Sequence, residues 1–167
     1  TTDFLTQLPN RRQFMVALDD ALLRQKRSGR AAALVMCDLD YFKHINDCFG
    51  HATGDLVLQH FSEILRDELR HFDAVGRVGG EEFALVLTGA NASAAQAFAE
   101  RVRARVASTP LMLEAKSGQL PQAISITVSI GITLIRDTDS SADICLSRSD
   151  AALYRAKTGG RDRVEMG

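Results

Sequence analysis

Three acidic residues frame the chemistry open to this chain. Asp38 closes a short apolar run in Cys37-Asp38-Leu39-Asp40, and Glu81 and Glu82 follow the glycine pair Gly79-Gly80. Carboxylates brought to one point repel each other unless a cation neutralises them, and hard oxygen donors select Mg²⁺ or Mn²⁺. A divalent ion held this way bridges phosphate oxygens and activates a hydroxyl nucleophile. The same residues also have a plainer use, with Asp38 ending a strand and the glutamates solvated, because charged side chains are mostly exposed. Gly79-Gly80 is likewise open to two readings. It is a hairpin turn that exploits positive φ, or a place where missing side chains let a nucleotide approach the backbone.

Other polar residues extend the first of these readings. A carboxylate accepts from the N1–H and N2–H₂ edge of guanine, and an amide both donates and accepts. Asn46 and Asp55, flanking Cys48-Phe49-Gly50-His51, can therefore select guanine over adenine, or serve simply as a turn residue and a first-turn helix acid. Lys157 and Arg161 can clamp terminal phosphates or complement a helix C-terminus. In Arg70-His71-Phe72-Asp73 the arginine can read a guanine Hoogsteen edge and a phosphate, or form a local ion pair with Asp73. His44, His51, His60 and His71 show no zinc-ligand spacing.

The bulk properties limit the setting. A chain of 167 residues fits one domain, and 46% hydrophobic residues is ordinary for a buried core. A net charge of -1 gives no global field for nucleic acid, so a phosphate-bearing ligand needs a local site. The three cysteines, Cys37, Cys48 and Cys145, form no CxxC pair, which suits a reducing, cytoplasmic setting. No apolar run is long enough to span a membrane. Because Thr1 to Pro9 already carry a motif, residues 1–167 are expected to be one domain excised from a longer regulatory protein.

The elements that must position these residues follow from periodicity. Asn10 caps a helix with Phe14, Leu18, Ala21 and Leu22 on one face, running to Lys26 and broken by Ser28-Gly29. Ala31 to Asp38 reads as a buried central strand, followed by a polar, glycine-punctuated stretch from Tyr41 to Gly54. A helix carrying Leu58, Phe61, Leu65 and Leu69 follows, then a hairpin of Ala74–Val78 and Phe83–Leu87 around the glycine pair. Asn91 starts a helix with Ala95, Phe98, Val102 and Val106 inward. Met112 to Leu120 is a strand and loop, Ile124 to Ile135 a strand, Ser141 to Lys157 a helix, and Arg163 to Met166 a last short strand. This order predicts an α+β fold of the βαββαβ, ferredoxin-like type: a central, mostly antiparallel sheet flanked by helices, with an N-terminal helix and C-terminal additions.

Taken together, these blocks resemble the GGDEF-domain diguanylate cyclase family, in its GGEEF variant. The resemblance runs from Asp3 to Val164. It is carried by Asp3-Phe4-Leu5-Thr6-Gln7-Leu8-Pro9-Asn10-Arg11-Arg12, Asp38-Leu39-Asp40-Tyr41-Phe42-Lys43-His44-Ile45-Asn46-Asp47, Phe49-Gly50-His51, Gly54-Asp55, Gly79-Gly80-Glu81-Glu82-Phe83, Val128-Ser129-Ile130-Gly131, and Asp150 to Lys157 with Gly160-Arg161. One departure is Gln7, where the family usually has glycine. The resemblance implies a palm-like, nucleotide-cyclase fold and the condensation of two GTP into cyclic di-GMP with release of two pyrophosphates. It also implies Mg²⁺ (or Mn²⁺) on Asp38, the Leu39 carbonyl and Glu81, with Glu82 as a further ligand or proton acceptor. Asn46 and Asp55 would read guanine, and Phe42 would line the pocket. Lys43, Lys157 and Arg161 would hold phosphates, and Gly79 and Gly80 would pass beneath the nucleotide. Catalysis would need a homodimer, because each domain holds one GTP. Arg70 and Asp73, helped by Arg101, would form an inhibitory site for the product. The family implies an upstream sensor or receiver domain, a parent protein that can be membrane-attached, and no membrane or nucleic-acid contact by this domain. The alternative is a cyclic di-GMP or GTP-sensing receptor module with little turnover.

Overall fold

The computed structural model describes residues 1–167. Its elements run α1 (Arg11–Ser28), β1 (Ala32–Leu39), α2 (Phe42–Phe49), α3 (His51–Glu68), β2 (Ala74–Arg77), β3 (Glu82–Thr88), α4 (Ala92–Ser108), β4 (Leu111–Leu113), β5 (Gln122–Ile124), β6 (Val128–Leu134), α5 (Ala142–Thr158) and β7 (Arg163–Met166). Five strands form one sheet in the order β2-β3-β1-β6-β7. All neighbours are antiparallel except β6 and β7, which run parallel. The expected βαββαβ core is present, with α1 before it and β7 as the C-terminal addition.

Strand β1 lies at the centre and is buried along its whole length. Its alternating side chains serve two cores. Val35, Cys37 and Leu39 pack with Phe61 and Leu65 of α3 and Val102 of α4. Leu34 and Met36 pack with Phe14 and Leu18 of α1 and with Cys145 and Leu153 of α5. Burial on both faces explains why the run reads as continuously apolar rather than alternating.

The structure corrects two boundaries. The polar, glycine-punctuated stretch from Tyr41 to Gly54, to which periodicity assigns no element, holds all of α2 and the start of α3. Gly50, at φ 90°, makes the break between the two helices. The strand expected over Ile124–Ile135 is divided, with β5 pairing β4 in a separate two-stranded sheet and β6 joining the main one. The interruption falls at Thr127, whose carbonyl accepts from Asp40 N at 3.0 Å and whose hydroxyl donates to the Asp40 carboxylate. Gln7, at the position of the family's glycine, adopts φ 61°, a left-handed conformation that disfavours a side chain by about 1–2 kcal/mol. Its Nε2 donates to Phe4 O at 2.7 Å within the same turn. No helix is long and apolar enough to cross a membrane.

Helix α5 crosses β6 without side chains between them at Gly131. A Cβ there would fall 2.3 Å from Leu153 N and 2.6 Å from Ser149 O. Backbone atoms of a packed helix cannot give way locally, so Gly131→Ala should destabilise the domain by about 2–3 kcal/mol through overpacking, read as a lower urea midpoint at unchanged slope.

Candidate active site

The acids converge where β1 ends beside the β2–β3 turn. Asp38 is the register partner of Glu82, and Leu39 N donates to Glu81 O at 3.2 Å. A cavity of about 170 Å³ opens there. It is lined by Asp38, Leu39 and Glu81 on the acidic side and by Lys43, Lys157 and Arg161 on the basic side, with Phe42 at its wall. Residues from β1, α2, the hairpin turn and the end of α5 therefore meet, although they span more than a hundred positions of sequence. Asp40 and Tyr41, to which residue type and spacing assign no role, line the same cavity.

Asp38 is almost fully buried, and its carboxyl is pushed up to about 6. Burial is the main cause; the hydrogen bond and charge of Lys157 pull the other way, and the charges of Glu81 and Glu82 push it further up. Lys157 Nζ donates to Asp38 Oδ2 at 2.6 Å, so the strand-end acid already has a monovalent cation against it. Asp38, Glu81 and the Leu39 carbonyl are hard oxygen donors on one cavity, and a carboxylate that burial makes costly to ionise is one that a divalent cation would favour. The donor set fits Mg²⁺ or Mn²⁺. No three His, Cys, Asp or Glu side chains are drawn into a ready-made cluster. Glu82, the register partner of Asp38, also lines a neighbouring cavity with Arg11 and Asp150.

The glycine pair does not use positive φ, contrary to the hairpin reading of the sequence. Val78 N and Gly79 N both donate to Glu82 O, at 2.9 and 3.3 Å, and close the turn. A Cβ on Gly80 would meet nothing, whereas one on Gly79 would lie 3.0 Å from Glu82 Oε1. The open approach to the backbone is thus at Gly80. Arg77 holds the turn from below: its guanidinium donates to Gly79 O and Gly80 O and pairs with Asp3 at 3.2 Å. Nothing local in the sequence announces this contact, since Asp3 and Arg77 are remote and each is an ordinary surface type.

The pair expected to read guanine, Asn46 and Asp55, is assembled by close helix packing. Phe42 and Asn46 lie one turn apart on α2 and meet α3 at Gly54. A Cβ there would sit 1.8 Å from Asn46 Oδ1 and 3.3 Å from the Phe42 ring. Asp55, the next residue, is exposed. Asn46 Oδ1 is buried without a hydrogen-bond partner, the kind of orphaned polar atom that calls for a ligand or water.

The Arg70–Asp73 pair is present but turned on itself. Arg70 makes two parallel bonds to Asp73 at 3.0 Å, donates to Thr88 O, and lies over the Phe72 ring at 4.5 Å. Asp73 also accepts from Arg70 N and Thr88 N. Arg70 and Arg101 line one cavity of about 300 Å³ between α3 and α4, where Glu68 pairs with Arg101 at 2.8 Å.

The sheet order, with acids and bases gathered at the end of its central strand, places the chain in the class of α+β palm-like domains. The family model described as "Diguanylate cyclase, GGDEF domain" matches residues 1–163. The chain is 38% identical to "Diguanylate cyclase A" of Treponema denticola over 99% of its own length and 44% of that protein's. It superposes on the coiled coil and GGDEF domain of DgcB from Caulobacter crescentus, in complex with c-di-GMP, with TM-score 0.91 and 34% identity, covering 100% of this chain and 85% of that one. It also superposes on the active GGEEF domain of a diguanylate cyclase from Vibrio cholerae with TM-score 0.86 and 34% identity, covering 96% and 97%. The chain belongs to the GGDEF domain family, and it spans less than half the length of the curated relative it matches.

The raised Asp38 carboxyl has a signed consequence for the metal-free domain. A carboxyl at about 6 in the fold, against about 3.9 when unfolded, favours the folded state most below the unfolded value, and that contribution is lost as pH rises through 6. Asp38→Asn removes the titration. Its urea midpoint relative to the unsubstituted protein should therefore improve between pH 4.5 and 7.5; a constant or worsening difference would contradict the assignment.

Proposed function

We propose that this domain is a diguanylate cyclase that condenses two GTP into cyclic di-GMP. The observation that carries the reading is the cavity in which Asp38 and Glu81 face Lys43, Lys157 and Arg161, in a chain of the GGDEF family. Asn46 and Asp55 bind the guanine edge, with Phe42 against the ring. Lys43, Lys157 and Arg161 take the phosphates, and the open backbone at Gly80 lets the nucleotide pass. Asp38, the Leu39 carbonyl and Glu81 would hold Mg²⁺ or Mn²⁺, which when bound neutralises the triphosphate and activates the hydroxyl. Lys157, which pairs with Asp38 at 2.6 Å, would be free to turn to the phosphates wherever Asp38 had another cation as its partner.

Each domain presents one GTP, so two domains must face each other. The 3′-oxygen of one nucleotide forms the new bond to the α-phosphorus of the other, the bond to the β-phosphate oxygen breaks, pyrophosphate departs, and the hydroxyl proton is lost. Repeating the step across the dimer closes the ring. Positioning and charge neutralisation provide most of the rate. Arg70, Asp73 and Arg101 form an inhibitory site for the product. The DgcB structure in complex with c-di-GMP supports a dinucleotide site on this fold, and here binding must first draw Arg101 from Glu68. The remaining length of the Treponema relative gives room for an upstream sensor or receiver domain.

A dimerised form of the protein with Mg²⁺ and GTP should release cyclic di-GMP and pyrophosphate, detected by mass spectrometry. Glu81→Gln should lower turnover by about 10²–10³-fold, the range for removing one preorganised electrostatic contact. Absence of product from a confirmed dimer would refute the reading and favour a receptor module. Arg70→Ala should leave the initial rate unchanged and abolish slowing by added product; persistence of that slowing would move the inhibitory site elsewhere.

A further inference from the structure

The loop after α5 bends in a way its sequence does not favour. Arg161 and Asp162 adopt φ 63° and 46°, two consecutive non-glycine residues in the left-handed region, at a cost of roughly 1–2 kcal/mol each. Such a conformation persists only where the surroundings over-determine it. Three contacts do so. Arg161 N donates to Ala156 O at 3.0 Å. Asp162 N donates to Asp40 Oδ2 at 3.0 Å. Arg103 of α4 donates to Asp162 Oδ1 at 2.9 Å.

Asp40 is itself held on two sides. It is 3% exposed and accepts from Thr127 Oγ1 and Ser129 Oγ, both at 2.7 Å. Its neighbour Tyr41 provides the surface over which the Arg161 guanidinium lies, 4.8 Å from the ring centroid. Both the backbone and the head of Arg161 are thus referenced to the end of β1, the strand that also carries Asp38.

We propose that Asp162 is a positioning residue for phosphate binding: anchored to Asp40 through its amide and to Arg103 through its carboxylate, it holds Arg161 aimed into the cavity. This rests on reading the cavity as the GTP site. A half-exposed ion pair contributes little to global stability, so the contact matters for where Arg161 points more than for whether the domain folds. Asp162→Gly removes the carboxylate without adding strain, because glycine takes the left-handed conformation freely; it also loosens the backbone, so Arg103→Ala, which leaves the loop backbone unchanged, isolates the ion pair.

The test compares affinities for 3′-deoxy-GTP, which lacks the nucleophile, and for GMP, which lacks the β- and γ-phosphates. In Mg²⁺, Asp162→Gly and Arg103→Ala should each weaken 3′-deoxy-GTP about tenfold, as for one misplaced charge-assisted contact. GMP affinity and the urea midpoint should stay near those of the unsubstituted protein, and Arg103→Lys should recover part of the loss. Equal weakening of both nucleotides, or unchanged 3′-deoxy-GTP affinity, overturns the positioning role while leaving the GTP reading intact. Failure of the unsubstituted protein to bind either nucleotide overturns that reading and the proposal with it.

Discussion

Two carboxylates, Asp38 and Asp40, are buried at the end of a strand that is covered on both faces. Taking a carboxylate out of water is costly unless partners replace the lost solvation, and the groups that do so here are the groups that build the site. Asp38 draws in Lys157 from the end of α5. Asp40 draws in Thr127 and Ser129 at the start of β6 and the backbone of Asp162 beyond α5. The electrostatic demands of two residues thus bring the end of α5, the loop after it and the edge of β6 to the mouth of the cavity. The acids are fixed in turn by the register of β1 against β3 and β6, which the two cores hold.

Much of this was legible from residue order alone. The apolar run ending in Asp38, the helix capped by Asn10, whose side chain accepts from Gln13 N, and the hairpin around Gly79-Gly80 all follow from local patterns that the fold keeps. Of the acids and cations singled out by type and spacing, Asp38, Glu81, Lys157 and Arg161 line one cavity, whereas Glu82 lines its neighbour. What the sequence hid depends on contacts between remote segments. Gly54 punctuates a polar stretch in the sequence, yet it lies inside α3, and its missing side chain leaves the space that Asn46 Oδ1 and the Phe42 ring take. Of the two readings of Gly79-Gly80, the structure drops positive φ, and the space around Gly80 is what the close-approach reading asks for. Asp3, Arg77 and Asp40 are common residue types whose partners lie tens of positions away, and periodicity carries no information about such pairs.

The second cavity shows the same economy of charge. Arg70 and Arg101 both face it, and each is already bound to an acid, Asp73 and Glu68. Helix α4 carries Arg101 on the side of this cavity and Arg103 toward the loop after α5. Helix α4 thus lines this cavity and, through Arg103, touches the loop whose Arg161 lines the other, to which α4 itself contributes no lining residue.

Lys157 against Asp38 has a further meaning for the order in which the site fills. A carboxylate that already holds an ammonium at 2.6 Å is a poor trap for a bare divalent ion, because the displaced ammonium would be left facing Arg161 and Lys43 with no anion to meet. A triphosphate arriving with its own ion supplies that anion in the same event. On the proposed reading of the cavity, the Lys157–Asp38 salt bridge would act as a latch that yields at low cost only to a cation and an anion presented together, and a metal–nucleotide complex would be the species this site admits.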